Sequence, residues 1–177
     1  RLGHERLGID RLGIWLIDQN DSRWRLGTWG IDEGGALRDE RGSRLPRATE
    51  DAPSSFFEGR SPLILDEEST CRDQQGHPVG KGCKLLAPLW DGHGLIGEIC
   101  ADDLLGHGGF CPEKREAIVI FARIVANLVS LKRAEAELKH LASTDSLTGT
   151  VNRRTALIIL EKHIAQSMRS GSPLALC

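Results

Sequence analysis

From Leu12 to Ile17 the chain reads Leu-Gly-Ile-Trp-Leu-Ile, apolar at every position that carries a side chain, as in a central strand covered on two sides. The polar turn Gln19-Asn20-Asp21-Ser22 follows, and Arg23 to Ile31 is the expected antiparallel partner. Asp32 to Pro53 is polar, carries Gly34-Gly35, Pro46 and Pro53, and is expected to be loop with at most one helical turn. Ser54 to Gly59 fits a short helix capped at both ends, and Leu63-Ile-Leu65 a short strand. Thr70 to Gly82 reads as a long polar loop. Lys84 to Trp90 and Leu95 to Ala101 form the clearest hairpin, joined at Asp91-Gly92, the pair that a type I′ turn favours. Pro88 inside the first run argues for an edge or a bulge there.

The period then changes from two to that of a helix. Pro112 suits a first helical position, and one long helix is expected from it to about Ser143. Phe121, Ile124, Leu128 and Leu131, then Ala134, Leu138 and Leu141, follow a coiled-coil seam with one overwinding step between Leu131 and Ala134. Arg133 with Glu137 and Glu135 with Lys139 are i,i+4 pairs beside it. After a break at Thr144 to Thr150, Asn152 to Ser170 reads as a second helix with Leu157, Leu160, Ile164 and Met168 on one stripe and Gly171 past its end. Pro173 to Cys177 reads as the opening of a strand.

The 177 residues allow one ordinary domain and an appendage, not two full domains. A net charge of −2, from 23 basic and 25 acidic residues, offers no field for gripping phosphates, so no nucleic-acid partner is expected. The longest apolar stretch, Ala117 to Leu131, is interrupted by Arg123 and Asn127, and no membrane contact is expected from this segment. Five cysteines without a CxxC fit a reduced cytoplasm better than a disulfide framework. Arg1 opens without methionine or a leader pattern, which reads as a start inside a longer protein. The early repeats Arg1-Leu2-Gly3, Arg6-Leu7-Gly8 and Arg11-Leu12-Gly13 are too short for a repeat architecture, and Gly8 is expected to end a helix begun upstream.

Asp145-Ser-Leu147-Thr148-Gly149-Thr-Val-Asn152-Arg153-Arg154 resembles the D-x-L-T-G-L-x-N-R-R motif that opens GGDEF domains, with Thr150 in place of the usual Leu. The resemblance implies a scaffolding turn in which Asp145 pairs with Arg153 or Arg154. It also implies a parent diguanylate cyclase, whose Mg²⁺ and GTP are bound by metal aspartates and a GG(D/E)EF hairpin. Those parts are not in this sequence, so no cyclase activity and no catalytic residue are expected of it.

Ile9 to Asp18, Gly27-Thr-Trp-Gly30, Leu37 to Glu40, Ala87 to Gly92 and Ile96 to Asp103 are together similar to GAF domains, especially those that stand directly before GGDEF domains. That resemblance implies an α+β fold, an antiparallel sheet flanked by helices, with a small-molecule pocket between the sheet and the segments Asp32–Arg60 and Ser61–Cys83. Trp15, Trp29, Cys71, Cys83 and Trp90 are the candidate pocket residues. Such tryptophans more often fill a core. Cys71, His77 and Cys83 are evenly spaced in one loop, with Asp73 a fourth candidate ligand, but without a CxxC the pattern is weak evidence and no metal site is assigned. Cys71, Cys83 and Cys100 could imitate the thiols of GAF enzymes that reduce free methionine sulfoxide, and Cys71 with Cys83 could sense redox state through a lowered pKa.

The expected organisation is a GAF core over 1–111, a signalling helix over 112–143 and the start of a GGDEF domain over 144–177. The expected function is sensory: an unidentified small molecule, or dimerisation itself, controls cyclic-di-GMP synthesis. The seam residues Phe121, Ile124, Leu128, Leu131 and Leu138 would hold a parallel homodimer. A ligand-free dimerisation module and the thiol reductase are the alternatives.

Overall fold

The computed structural model describes residues 8–47, 56, 58, 61–73, 75–106, 108–145 and 147–175. Seven strands make one antiparallel sheet: β1 (Arg11–Ile17), β2 (Trp24–Ile31), β3 (Leu37–Asp39), β4 (Arg44–Pro46), β5 (Ile64–Arg72), β6 (Pro78–Trp90) and β7 (Leu95–Asp102). Their order is β3-β2-β1-β7-β6-β5, with β4 also on β2. Two helices follow, α1 (Pro112–Ser143) and α2 (Arg153–Ser170). The fold is α+β. The chain divides into two compact units, Arg1–Val129 and Ser130–Cys177, and α1 runs from the first into the second.

In the first unit, strand alternation gives the sheet two unlike faces. Leu12, Ile14 and Leu16 of β1, Leu85, Ala87 and Leu89 of β6, and Ile99 and Ala101 of β7 turn to one side. There they pack with Ile118, Ala122 and Ala126 of α1, whose small residues let helix and sheet approach closely. The intervening residues turn to the other side. β1 is central, as its apolar run implied, lying between β2 and β7.

Three expectations about loops are corrected. The polar stretch from Asp32 to Pro53 contains β3 and β4, which pair with opposite ends of β2. Three-residue edge strands carry too little alternation to be read against a polar background. The segment Thr70 to Gly82 is not a loop but the far end of the β5–β6 hairpin, closed by Asp73, whose carboxylate accepts from the amides of Gln75 and His77. Gly80 and Gly82 hid the strand. They are there because Leu104 and Asp103 lie against it: added Cβ atoms would stand 2.5 Å from Leu104 Cδ1 and 2.6 Å from Asp103 Oδ1. The β6–β7 connection is a four-residue loop, Asp91 to Gly94, rather than a two-residue turn. The Asp91 carboxylate accepts from the amides of His93 and Gly94 and takes over the work of a tight turn. Pro88 does sit at a local edge, since β5 pairs with β6 only as far as Leu86. Of the expected helix from Ser54 to Gly59, Phe56 is helical and fully buried, while Ser54 and Gly59 lie outside the described residues. Residues 1–7, with the first Arg-Leu-Gly unit and most of the second, and His107 also lie outside them, whereas Arg11-Leu12-Gly13 opens β1.

In the second unit, the end of α1 and the start of α2 are joined by the Asp145–Arg154 turn. Asp145 does not pair with Arg153 or Arg154. Its carboxylate accepts from the amides of Leu147 and Thr148 and from the Thr148 hydroxyl, which satisfies it within the turn. Gly149 takes φ +68°, which explains its place in the motif. Asn152 caps α2 by accepting from Thr155 N, and its amide also donates to Ala142 O at 2.7 Å. Gly171 closes α2 at φ +68°. Lys139 pairs with Glu135 at 2.6 Å as expected, but Lys132 takes the second place beside Glu135 and no Arg133–Glu137 pair forms among the described residues. Residues 172–175 are irregular, not strand.

Candidate functional site

The face of the sheet turned away from α1 carries a cavity of about 100 Å³. Gly13 and Trp15 of β1, Cys100 and Asp102 of β7 and Lys84 of β6 line it from the sheet. Arg25 and Ile31 of β2, Arg38 of β3, Glu40, Leu45 of β4, and Cys71, Arg72 and Asp73 from the β5 end surround them. Its chemistry is charged rather than greasy, unlike most small-molecule sites.

Arg11 and Asp102 are cross-strand partners and form a buried bidentate pair, Nε to Oδ1 at 2.8 Å and Nη2 to Oδ2 at 2.6 Å. Arg11 Nη2 also donates to Arg72 O at 2.9 Å, tying β1 to the end of β5. Burial opposes the Arg11 charge, but the hydrogen bonds and charge of Asp102 more than offset it and raise its pKa. Arg38 bridges two carboxylates, donating to Glu40 Oε1 at 2.9 Å and to Glu33 Oε2 at 3.1 Å. Arg25 pairs with Glu98 and lies over the Trp15 ring, 5.0 Å from its centre.

Glu40 lies on a patch without side chains. A Cβ on Gly30 would fall 2.6 Å from its carboxylate, and one on Gly13 3.5 Å from Oε2. Gly27 would collide with its backbone. The three glycines of β1 and β2 thus make room for one buried acid, whose side chain is only 5% exposed. Glu40 Oε2 and Arg25 Nε are buried without a hydrogen-bond partner among the described groups. Sequence reasoning missed Glu40, although the Gly13, Gly27 and Gly30 spacing was a readable sign of close approach.

Of the five candidate pocket residues, Trp15 and Cys71 line the cavity and Trp29, Cys83 and Trp90 do not. Trp29 is 45% exposed, with Arg41 over its ring. Trp90 ends β6 at the Asp91 loop. Cys83 packs against the core on the α1 side, whereas Cys71 and Cys100 lie on the cavity side, so the three thiols are split between faces. Cys71, Cys83, Cys100 and Cys111 are all free. Burial, aided by Asp102, pushes the Cys71 thiol up to about 11, and burial also raises Cys83 and Cys100, the reverse of an activated thiolate. Among the described residues no group of His, Cys, Asp and Glu could hold a metal ion. The seam residues Phe121, Ile124, Leu128, Leu131 and Leu138 are exposed along α1, on the side away from Ile118, Ala122 and Ala126. Among the described residues no helix is long and apolar enough to cross a membrane.

No family model and no curated protein sequence matches the chain. Solved structures do. The GAF-B domain of DevS from Mycobacterium smegmatis superposes with a TM-score of 0.52 at 18% identity, over 77% of this chain and 90% of that one. The GAF domain of an Acinetobacter phosphoenolpyruvate-protein phosphotransferase gives a TM-score of 0.52 at 10% identity, over 76% and 78%. The chromophore-binding domain of the bacteriophytochrome RpBphP3 from R. palustris gives 0.54 at 12%, over 75% of this chain and 53% of that one. The fold is that of GAF domains.

Proposed function

We propose that the chain is a sensory GAF domain that governs a diguanylate cyclase, with α1 as the transmitting element. The observation that carries this reading is the continuity of α1, one helix from Pro112 to Ser143 that packs on the sheet at one end and runs into the Asp145–Arg154 turn at the other. The likeness of that turn to a GGDEF entry motif supplies the output. A cyclase of that kind joins two GTP molecules held by two protomers, so the geometry of a dimer sets its rate. The exposed stripe of Phe121, Ile124, Leu128, Leu131 and Leu138 suits a parallel homodimer, which a change at the cavity would shift between two arrangements. Free cysteines and raised thiol pKa values suit the cytoplasm. They also speak against the thiol reductase. The unpartnered Glu40 oxygen favours a ligand-binding module over a ligand-free one.

The test is to join a GGDEF catalytic domain in frame after the Asp145–Arg154 turn and supply GTP and Mg²⁺. Cyclic-di-GMP should form, and Leu128→Asp should suppress it. No product from a folded, extended chain would sink the output assignment.

A further inference from the structure

The cavity's charges are unevenly placed. Arg11 and Asp102 cancel, as do Arg25 and Glu98. At the β3 end, Arg38 serves two carboxylates, Glu33 and Glu40, with Arg11 Nη1 reaching Glu33 only at 3.5 Å, and Glu40 keeps one buried oxygen without a donor. At the opposite end, Lys84 of β6 and Arg72 of β5 form no ion pair among the described residues: Lys84 stands across from Asp66 and Asp102 without pairing with either, Asp102 is held by Arg11 and Asp73 by His77, and Arg72 donates to Gly76 O. One end therefore has spare negative charge and the other spare positive charge. The Glu40 carboxylate lies over Gly30 of β2 and beside Gly13 of β1, at least two strands from β6 and one side-chain row away from the row of Arg11, Asp102 and Lys84, so roughly 12–15 Å separates it from the Lys84 backbone, about half of which a lysine side chain can span.

An unmade hydrogen bond on a buried carboxylate is costly and asks for a donor. A ligand with a single charge would relieve one end and leave the other unbalanced. A cavity of about 100 Å³ is also small, since an apolar cavity of about 150 Å³ holds one benzene ring. Resting on the sensory reading above, we infer that the site binds a small zwitterion of about four to seven non-hydrogen atoms, a protonated amine seated on Glu40 and a carboxylate or sulfonate turned to Lys84 and Arg72. Trp15, with Arg25 over its ring and its indole beside Gly13, gives the cavity an apolar wall. Short α- and ω-amino acids and amino sulfonates have this chemistry. Cyclic nucleotides and tetrapyrroles have neither the size nor the charge pattern.

Calorimetric titration of the purified chain with glycine, β-alanine, γ-aminobutyrate and taurine tests this, with ethylamine and propionate as single-charge controls. At least one zwitterion should bind about tenfold or more tightly than either control. Glu40→Gln and Lys84→Met should each weaken that zwitterion about tenfold while the thermal melt stays close to that of the parent chain. If Glu40→Gln does not fold, Lys84→Met alone decides the anionic half. Absence of binding by all four zwitterions, or equal binding of propionate, overturns the inference. A cyclic nucleotide that binds where zwitterions fail overturns the ligand class and leaves the sensory reading standing. Zwitterion binding that leaves the cyclic-di-GMP output of the extended chain unchanged upholds the site and sinks the sensory reading.

Discussion

Arg11 and Asp102 face each other directly across β1 and β7 and close two charge-assisted hydrogen bonds, both side chains being 7% exposed. A buried pair of this kind adds little over a well-packed apolar pair, but breaking it strands one charge. Asp102→Ala should therefore destabilise the first unit by about 3–5 kcal/mol. The double replacement Arg11→Met with Asp102→Leu should recover most of that loss. Urea midpoints of the three chains check it, and a single-variant loss below about 1 kcal/mol would show that water or Glu33 already satisfies Arg11.

Gly30 is expected to be intolerant of any side chain. Its added Cβ would stand 2.6 Å from the Glu40 carboxylate, closer than real contacts allow. Gly30→Ala should cost about 1–3 kcal/mol through displaced neighbours. Because the clash is with one named group, Gly30→Ala should cost less when Glu40 is already Ala. A double-mutant cycle read by chemical denaturation measures that coupling, and strict additivity would mean the two positions do not meet.

The same glycines explain which parts of the molecule were legible. α1 and α2 were readable to within a residue because long amphipathic periods, Pro112 and Gly171 mark their ends. β1 and the β6–β7 hairpin were readable because their core-facing residues are uniformly apolar. The cavity face was not. Its determinants are single glycines and charges whose meaning appears only when β1, β2 and β7 are side by side, as with Arg11 and Asp102, 91 positions apart. β3 and β4 are stabilised by pairing with β2 rather than by their own pattern, so a polar background concealed them.

Cys71 should be a poor nucleophile. With its pKa pushed up to about 11, only about one thiol in a thousand is ionised at pH 8, against roughly a quarter for an ordinary cysteine. Iodoacetamide should therefore modify exposed Cys111 long before Cys71, and the Cys71 rate should climb about tenfold per pH unit until the fold itself fails. Peptide mass spectrometry over a pH series checks this. Rapid modification of Cys71 at neutral pH would revive a redox role.

Leu128→Asp and Leu138→Asp should each weaken self-association. Both leucines are exposed on α1, 56% and 66%, in a stripe that the described residues leave uncovered. A carboxylate buried in that seam costs several kcal/mol or must take up a proton. Sedimentation of the parent chain and both variants decides the matter, since a parent chain that is monomeric at micromolar concentration removes the basis for the seam.

The last expectation concerns α2. Its 18 residues include none that is buried, and Leu157, Ile158, Ile164 and Met168 are exposed, Met168 by 82%. Asn152 and Gly171 cap both ends well, each worth about 1 kcal/mol or less, so local signals favour the helix. Caps do not make up for missing tertiary contacts, because nucleating a helix is costly and isolated helices of this length are marginal in water. The helix should accordingly form and melt repeatedly while the sheet stays closed. In hydrogen exchange, the 157–168 amides should exchange far faster than those of β7, which is part of the buried core, and of β1, which packs against it. Protection of α2 equal to that of β7 would mean that its apolar stripe is covered in solution, by a second copy or by another part of the protein, and would falsify the picture of a lone helix.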